Sequence, residues 1–115
     1  MSIKPGEIYS YVDRRTEPSA TALTLDQAPK VPKGKVMQIE AMFCCDETTA
    51  AKTLSLGFER SGINHILEKE TVGASVHGLS LRRKMILVEG EKPIAIVTTP
   101  TANDVITFVV RGVYI

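Results

Sequence analysis

Few side chains in this 115-residue sequence are of the kinds that ligate metals or attack carbonyl groups, and their spacing limits what they can do. His65 and His77, with Glu68, Glu70, Cys44 and Cys45, make up the candidate metal ligands. No pair of them has the His-x-His or Cys-x-x-Cys spacing that brings two donors to one ion, so no metal and no cofactor is expected. Ser75 stands two residues before His77 in GASVHG, but it lacks the strand-to-helix elbow that activates a hydrolase serine. The adjacent cysteines point to opposite faces of an extended chain and could form a disulfide only under strain. The expectation for them is a core Cys45 and a small, half-buried Cys44. Carboxylates can meet across strands that are far apart in sequence, but Glu40, Glu59, Glu68 and Glu70 fall on strand-like stretches where alternation turns most of them to solvent, so solvated faces rather than an acid–base pair are expected. VPKGKV lacks the spacing of a phosphate-binding loop. The expectation is a protein that is not an enzyme.

Two basic groups remain, Arg14-Arg15 and Arg82-Arg83-Lys84. Fourteen Lys and Arg stand against thirteen Asp and Glu, a net charge of +1, which gives no broad field to attract nucleic acid or anionic lipid. The basic groups are short and not interleaved with aromatics, so they predict a salt-bridged surface or a subunit contact, with the acidic turn around Gly90 supplying partners. Tryptophan is absent and aromatics make up 5% of the chain, too few for the stacking platforms that hold sugars or bases. The apolar runs fall well short of the roughly 20 residues of a membrane helix, and the first residues form no secretory signal. No membrane and no nucleic acid is expected as partner, and the chain reads as soluble and made in a cytoplasm.

The elements that must carry these side chains are strands. Apolar residues alternate in short runs broken by Gly, Pro, Asn, Asp and Ser, and nothing sustains helical periodicity. In KVMQIEAMFCC, Lys35 to Cys45, unbroken alternation predicts Met37, Ile39, Ala41, Phe43 and Cys45 inward, with Val36 and Met42 outward. TLSLGFER points Leu54, Leu56 and Phe58 inward, with Gly57 as a bulge or close-approach point. Ser61-Gly62 turns the chain into an edge strand, INHILEKE. LSLRRKMILV predicts a strand broken by a bend at the basic triplet, and Pro93 opens PIAIVTT. About eight antiparallel strands predict an all-β sandwich, jelly-roll-like or Greek key, with a small barrel as the alternative.

The chain reads as a single domain in two parts. Residues 1–34 hold four of the six prolines and two short strand candidates, 7–12 and 20–25, which suggests an extended interaction arm or two outer strands; residues 35–115 form the sandwich. The final stretch, PTANDVITFVVRGVYI, is apolar on both faces: Val105, Val109, Val113 and Ile115 on one, Ile106, Phe108, Val110 and Tyr114 on the other. A strand of that kind needs cover on each side, and in so small a domain a second copy of the chain can supply it. The expected interface residues are Tyr9, Tyr11, Arg14, Arg15, Val36, Met42, Arg82 and Arg83, since aromatics, Met and Arg are enriched where proteins meet.

VPKGKVMQIEAMF, the polar loop with Thr48-Thr49-Ala50, and LVEGEKPIAIVTTPTANDVITFVVRGVYI together resemble the small β-sandwich structural proteins of tailed bacteriophages. The resemblance runs over residues 31–115. It rests on Pro32, Lys33, Gly34 and Lys35 before the first long strand, on Leu87, Gly90 and Glu91 at the turn, and on Asp104, Ile106, Val110 and Gly112 in the last strand. It implies a virion component without catalytic residues: a capsid decoration protein, or a head or tail connector subunit. Such a protein works by binding copies of itself and a larger shell or tail protein. The competing reading is a small ligand-binding sandwich, carbohydrate-binding or cupin-like, which needs a concave face with aromatics or convergent ligands.

Overall fold

The computed structural model describes residues 3–18, 21–47, 53–71, 78–98 and 100–115. Among them it contains no helix and nine strands: β1 (Ile8–Glu17), β2 (Leu23–Leu25), β3 (Val36–Asp46), β4 (Thr53–Arg60), β5 (Ile63–Thr71), β6 (Gly78–Ser80), β7 (Met85–Val88), β8 (Lys92–Val97) and β9 (Asp104–Tyr114). They form two antiparallel sheets. Sheet A runs β1-β9-β3-β6, with β7 also on β3, and sheet B runs β2-β8-β4-β5. With β6 and β7 counted as one broken strand, this is the eight-strand jelly-roll order. The break falls at Leu81–Lys84, where the basic triplet was expected to bend the chain.

Sheet A is built around its last strand. β9 pairs β1 over ten residues, Ile8↔Val113 to Glu17↔Asp104, and β3 along its other edge. Its alternation buries Ile106, Phe108, Val110 and Tyr114 against sheet B. Leu54, Leu56, Ala95 and Val97 meet them from β4 and β8. Burying each such side chain contributes about 1.5–3 kcal/mol, and these residues hold the two sheets together. Pro93 pairs with Phe58 of β4 at a level where β2, which pairs only Ala95 to Val97, has ended; the missing N–H therefore breaks no ladder on that side.

Two bulges set which side chains face the core. In β3 the register with β9 slips between Ile39 and Ala41, leaving Glu40 as an extra residue. Up to Ile39 the predicted alternation holds. Beyond the bulge it reverses: Met42 and Cys44 are buried, Phe43 turns outward and Cys45 is half-buried. The predicted core set Ala41, Phe43 and Cys45 is thus corrected to Met42, Cys44 and Asp46. The outer edge of β3 records the same event, since β7 pairs as far as Ile39 and β6 begins at Phe43. The second bulge lies between Leu56 and Gly57, where β5 has Leu67 to spare. A Cβ on Gly57 would stand 2.0 Å from the His65 carbonyl oxygen, so this close approach requires glycine, as expected from the sequence.

The N-terminal segment supplies the outer strands of both sheets, β1 for sheet A and β2 for sheet B. β1 continues five residues beyond its predicted end because β9 pairs with it as far as Glu17, which turns Asp13, Arg15 and Glu17 inward at the edge, where Asp13 and Arg15 pair with each other. This is an edge strand rather than an arm standing away from the body.

Candidate interaction surface

The chemistry-bearing residues stay apart. The Cys44 thiol is buried, and desolvation, with Cys45 and Asp46 beside it, pushes it from 9.0 up to about 12, where it is not a nucleophile. Cys45 is raised as well, first by burial. His65 is exposed and stacks on Phe58, with ring centroids 4.8 Å apart. Ser75, His77 and Thr48-Thr49-Ala50 lie outside the described residues. Among those described, no three His, Cys, Asp or Glu side chains gather where they could hold a metal ion.

The residues expected at an interface fall into three groups. Tyr9 and Met42 are core residues, 5% and 1% exposed, and offer a partner almost nothing. The Tyr9 ring meets Tyr114 edge-on, and its hydroxyl donates to the Pro29 carbonyl at 2.8 Å; burial raises its pKa. Met42 was expected outside because unbroken alternation overlooked the bulge. Tyr11 and Arg15 belong to an internal edge cluster, in which the Tyr11 hydroxyl donates to Asp13 at 3.2 Å and Arg15 forks onto the same carboxylate. Arg14, Val36, Arg82 and Arg83 do face solvent in whole or part. Arg14 bonds Glu47 at 2.7 Å and Arg82 meets Glu70 at 3.3 Å. The basic triplet therefore takes its partners from β5 and, through Lys84 to Glu40 at 2.9 Å, from the β3 bulge, not from the turn around Gly90.

The outer face of sheet A is the surface that stands out. Cross-strand registers arrange its side chains in rows. One row reads Ile8, Val113, Gln38, Ile86 across β1, β9, β3 and β7; another reads Val12, Val109, Phe43. Between them lies a row of Ser10, Arg111 and Ala41 that is polar at its first two members, with Glu40 beside it. Ile8 is 77% exposed, Val12 54%, Ile86 49% and Phe43 37%, and Val109 and Val113 are half-buried. The Phe43 ring lies where a Cβ on Gly78 would sit, 2.5 Å from its Cε2, so it is spread over β6 instead of standing up from the sheet. Together these side chains present on the order of 500 Å² of apolar surface, a size at which a patch is commonly an interaction site. Val12 and Phe43 carry no interface signal in the sequence: Val12 sits beside charged residues, and Phe43 reads as core until the bulge is known.

A second feature lies at the far edge, where β5 faces the β6–β7 break. Leu67, Glu68, Leu81, Arg83 and Met85 line a shallow pocket of about 220 Å³ there. That is below the roughly 300 Å³ at which small-molecule sites begin.

No protein-family model matches the chain, and no curated protein matches it. Among solved structures it is similar to the Drosophila NLP core, whose structure is described as providing insight into pentamer formation and histone binding; the TM-score is 0.41 at 10% identity, over 92% of this chain and 97% of that one. It is also similar to dimeric latent PorU from Porphyromonas gingivalis, with a TM-score of 0.32 at 8% identity, over 93% of this chain and 13% of that one.

Proposed function

We propose that this chain is a non-enzymatic structural subunit that associates with copies of itself and docks on a larger shell, as a decoration or connector protein of a virion does. The observation that carries self-association is the apolar outer face of sheet A, centred on Val12, Val109 and Phe43. Jelly rolls serve shell proteins, lectins and cupins alike, so the fold does not choose among them and the surface must. A lectin or cupin would need a concave, polar-lined site, whereas this face carries two apolar rows with one polar row between them. The virion assignment draws on the resemblance of residues 31–115 to phage structural proteins.

Sedimentation velocity of the full chain from about 1 to 200 µM, the range in which interfaces of modest size declare themselves, tests self-association. A mass that rises with concentration is expected. A monomer throughout removes the structural reading. Peptide mass spectrometry of particles purified from cells expressing the chain tests the virion assignment separately, since a structural subunit must be present in many copies per particle.

A further inference from the structure

Within the self-association reading, we infer that the outer face of sheet A packs on the same face of a second copy, about a twofold axis running parallel to the strands between β9 and β3. Edge-to-edge pairing is disfavoured first. β2, β6 and β7 are edges of three or four residues; β1 turns Asp13 and Arg15 inward; β5 is bulged and carries Glu68, Lys69 and Glu70. These are the devices that keep sheet edges from pairing, whereas the two apolar rows of the face are parted by a single row that carries Arg111 and Glu40.

The layout of the face then selects the axis. In an isologous contact, if one residue meets another, the second must meet the first across the axis. Rotation about a line between β9 and β3 lays each strand's side chains over those of the other, at the same row. Val109 comes over Phe43 of the partner subunit, and Ile8 over Ile86 of the partner subunit. Arg111 comes over Ala41 of the partner subunit, where the bulge sets Glu40 of the partner subunit beside it. Arg111 is exposed and has no carboxylate within ion-pair distance among the described residues; the only bond recorded for its guanidinium is to the adjacent Val110 carbonyl at 3.2 Å. Glu40, set outward by the bulge, accepts from Gln38 at 3.0 Å on one oxygen and meets Lys84 at 2.9 Å on the other, and a carboxylate with about four lone-pair sites can still take a second cation. A twofold perpendicular to the strands through the same row would instead stack Arg111 on Arg111, like charge on like.

Size is consistent with this contact. Four strands about 4.8 Å apart and roughly ten residues long give a face of about 19 by 30 Å. Once side-chain relief is included, that approaches the ~800 Å² that each partner contributes to a standard interface. Two sheets stacked in this way sit about 10 Å apart with strands within about 30° of alignment, which keeps the central Val109, Phe43, Arg111 and Glu40 contacts in reach.

A charge-reversal cycle on the full chain, read by sedimentation, tests the axis. R111E alone and E40R alone should each weaken association by about tenfold or more, and the double variant should return to within about threefold of the original. V109E should weaken it by about 100-fold through the apolar centre. Circular dichroism checks that each variant is folded, which these outward positions favour. If the chain self-associates but the double variant gains nothing over the singles, this axis is wrong and self-association stands. If V109E also leaves association unchanged, the whole face is wrong. If the unaltered chain is monomeric at 200 µM, the self-association reading fails together with the axis.

Discussion

Four buried or half-buried side chains, one thiol and three phenols, resist losing their protons in the folded chain. Burial raises the pKa of Cys44 to about 12 and also raises those of Tyr9, Tyr11 and Tyr114. A group with a raised folded-state value keeps its proton where the unfolded chain has lost it. Its stabilisation is therefore complete below the unfolded value, 9.0 for the thiol, and is lost as pH climbs to the folded one. Cys44 alone should lower stability by up to about 1.4 kcal/mol per pH unit within that window. Urea midpoints at pH 8 and pH 10.5 measure the fall, and C44V should make it shallower. An equal midpoint at both values would contradict the buried placement of the thiol. Residue identity announced some of this and hid the rest. Gly57 stood out as a close approach because an apolar run rarely spends a position on glycine. Met42 and Cys44 were unreadable as core, because Ala41 is small and apolar and carries the wrong alternation smoothly past Glu40.

At the scale of elements, one extra residue in β3 decides what faces the core and what faces out. With Glu40 deleted, Ile39 and Met42 stay inward with Ala41 between them pointing out, which is plain alternation matching Gly112 and Arg111 on β9. The deletion should therefore fold and keep Cys44 shielded from thiol reagents at pH 8 while removing the carboxylate that meets Lys84. Rapid labelling of Cys44 in the folded deletion variant would show that the reversal has another cause. Strand composition made β9, β4 and the break between β6 and β7 legible, since each has a clear run of apolar residues or a charged interruption. β1 was legible only in its first half. Its second half, Asp13 to Glu17, is strand because β9 offers a partner all along it, and no local pattern could reveal that.

For the molecule as a whole, charge is nearly balanced, and its ion pairs divide between the surface and half-buried sites such as Arg60–Glu91 and Lys92–Glu59. Arg14–Glu47, Arg82–Glu70 and Lys84–Glu40 are exposed pairs, each worth about 0–1 kcal/mol and weakened by salt. Raising sodium chloride from 0.05 to 1 M should change the unfolding free energy of the dilute chain by no more than about 3 kcal/mol, the most that three such pairs contribute, as measured by urea titration. A larger loss would mean that these contacts hold the fold to a degree their exposure does not suggest. Composition showed this balance directly, whereas the pairing scheme needed three-dimensional neighbours: the basic triplet looked toward the nearby Glu89 and Glu91 but meets Glu70 and Glu40 across strands.

The position of β9 between β1 and β3 also has a bearing on synthesis. At ~5–20 residues per second the ribosome needs several seconds between releasing Glu17 and producing Asp104, the residue that pairs with it. For that interval β1 has no neighbour in its sheet, since β9 is the strand it pairs with. Until the centre of the sheet emerges β1 is an unpaired strand edge, and overproduction at high translation rates should raise the share of the chain that collects in inclusion bodies.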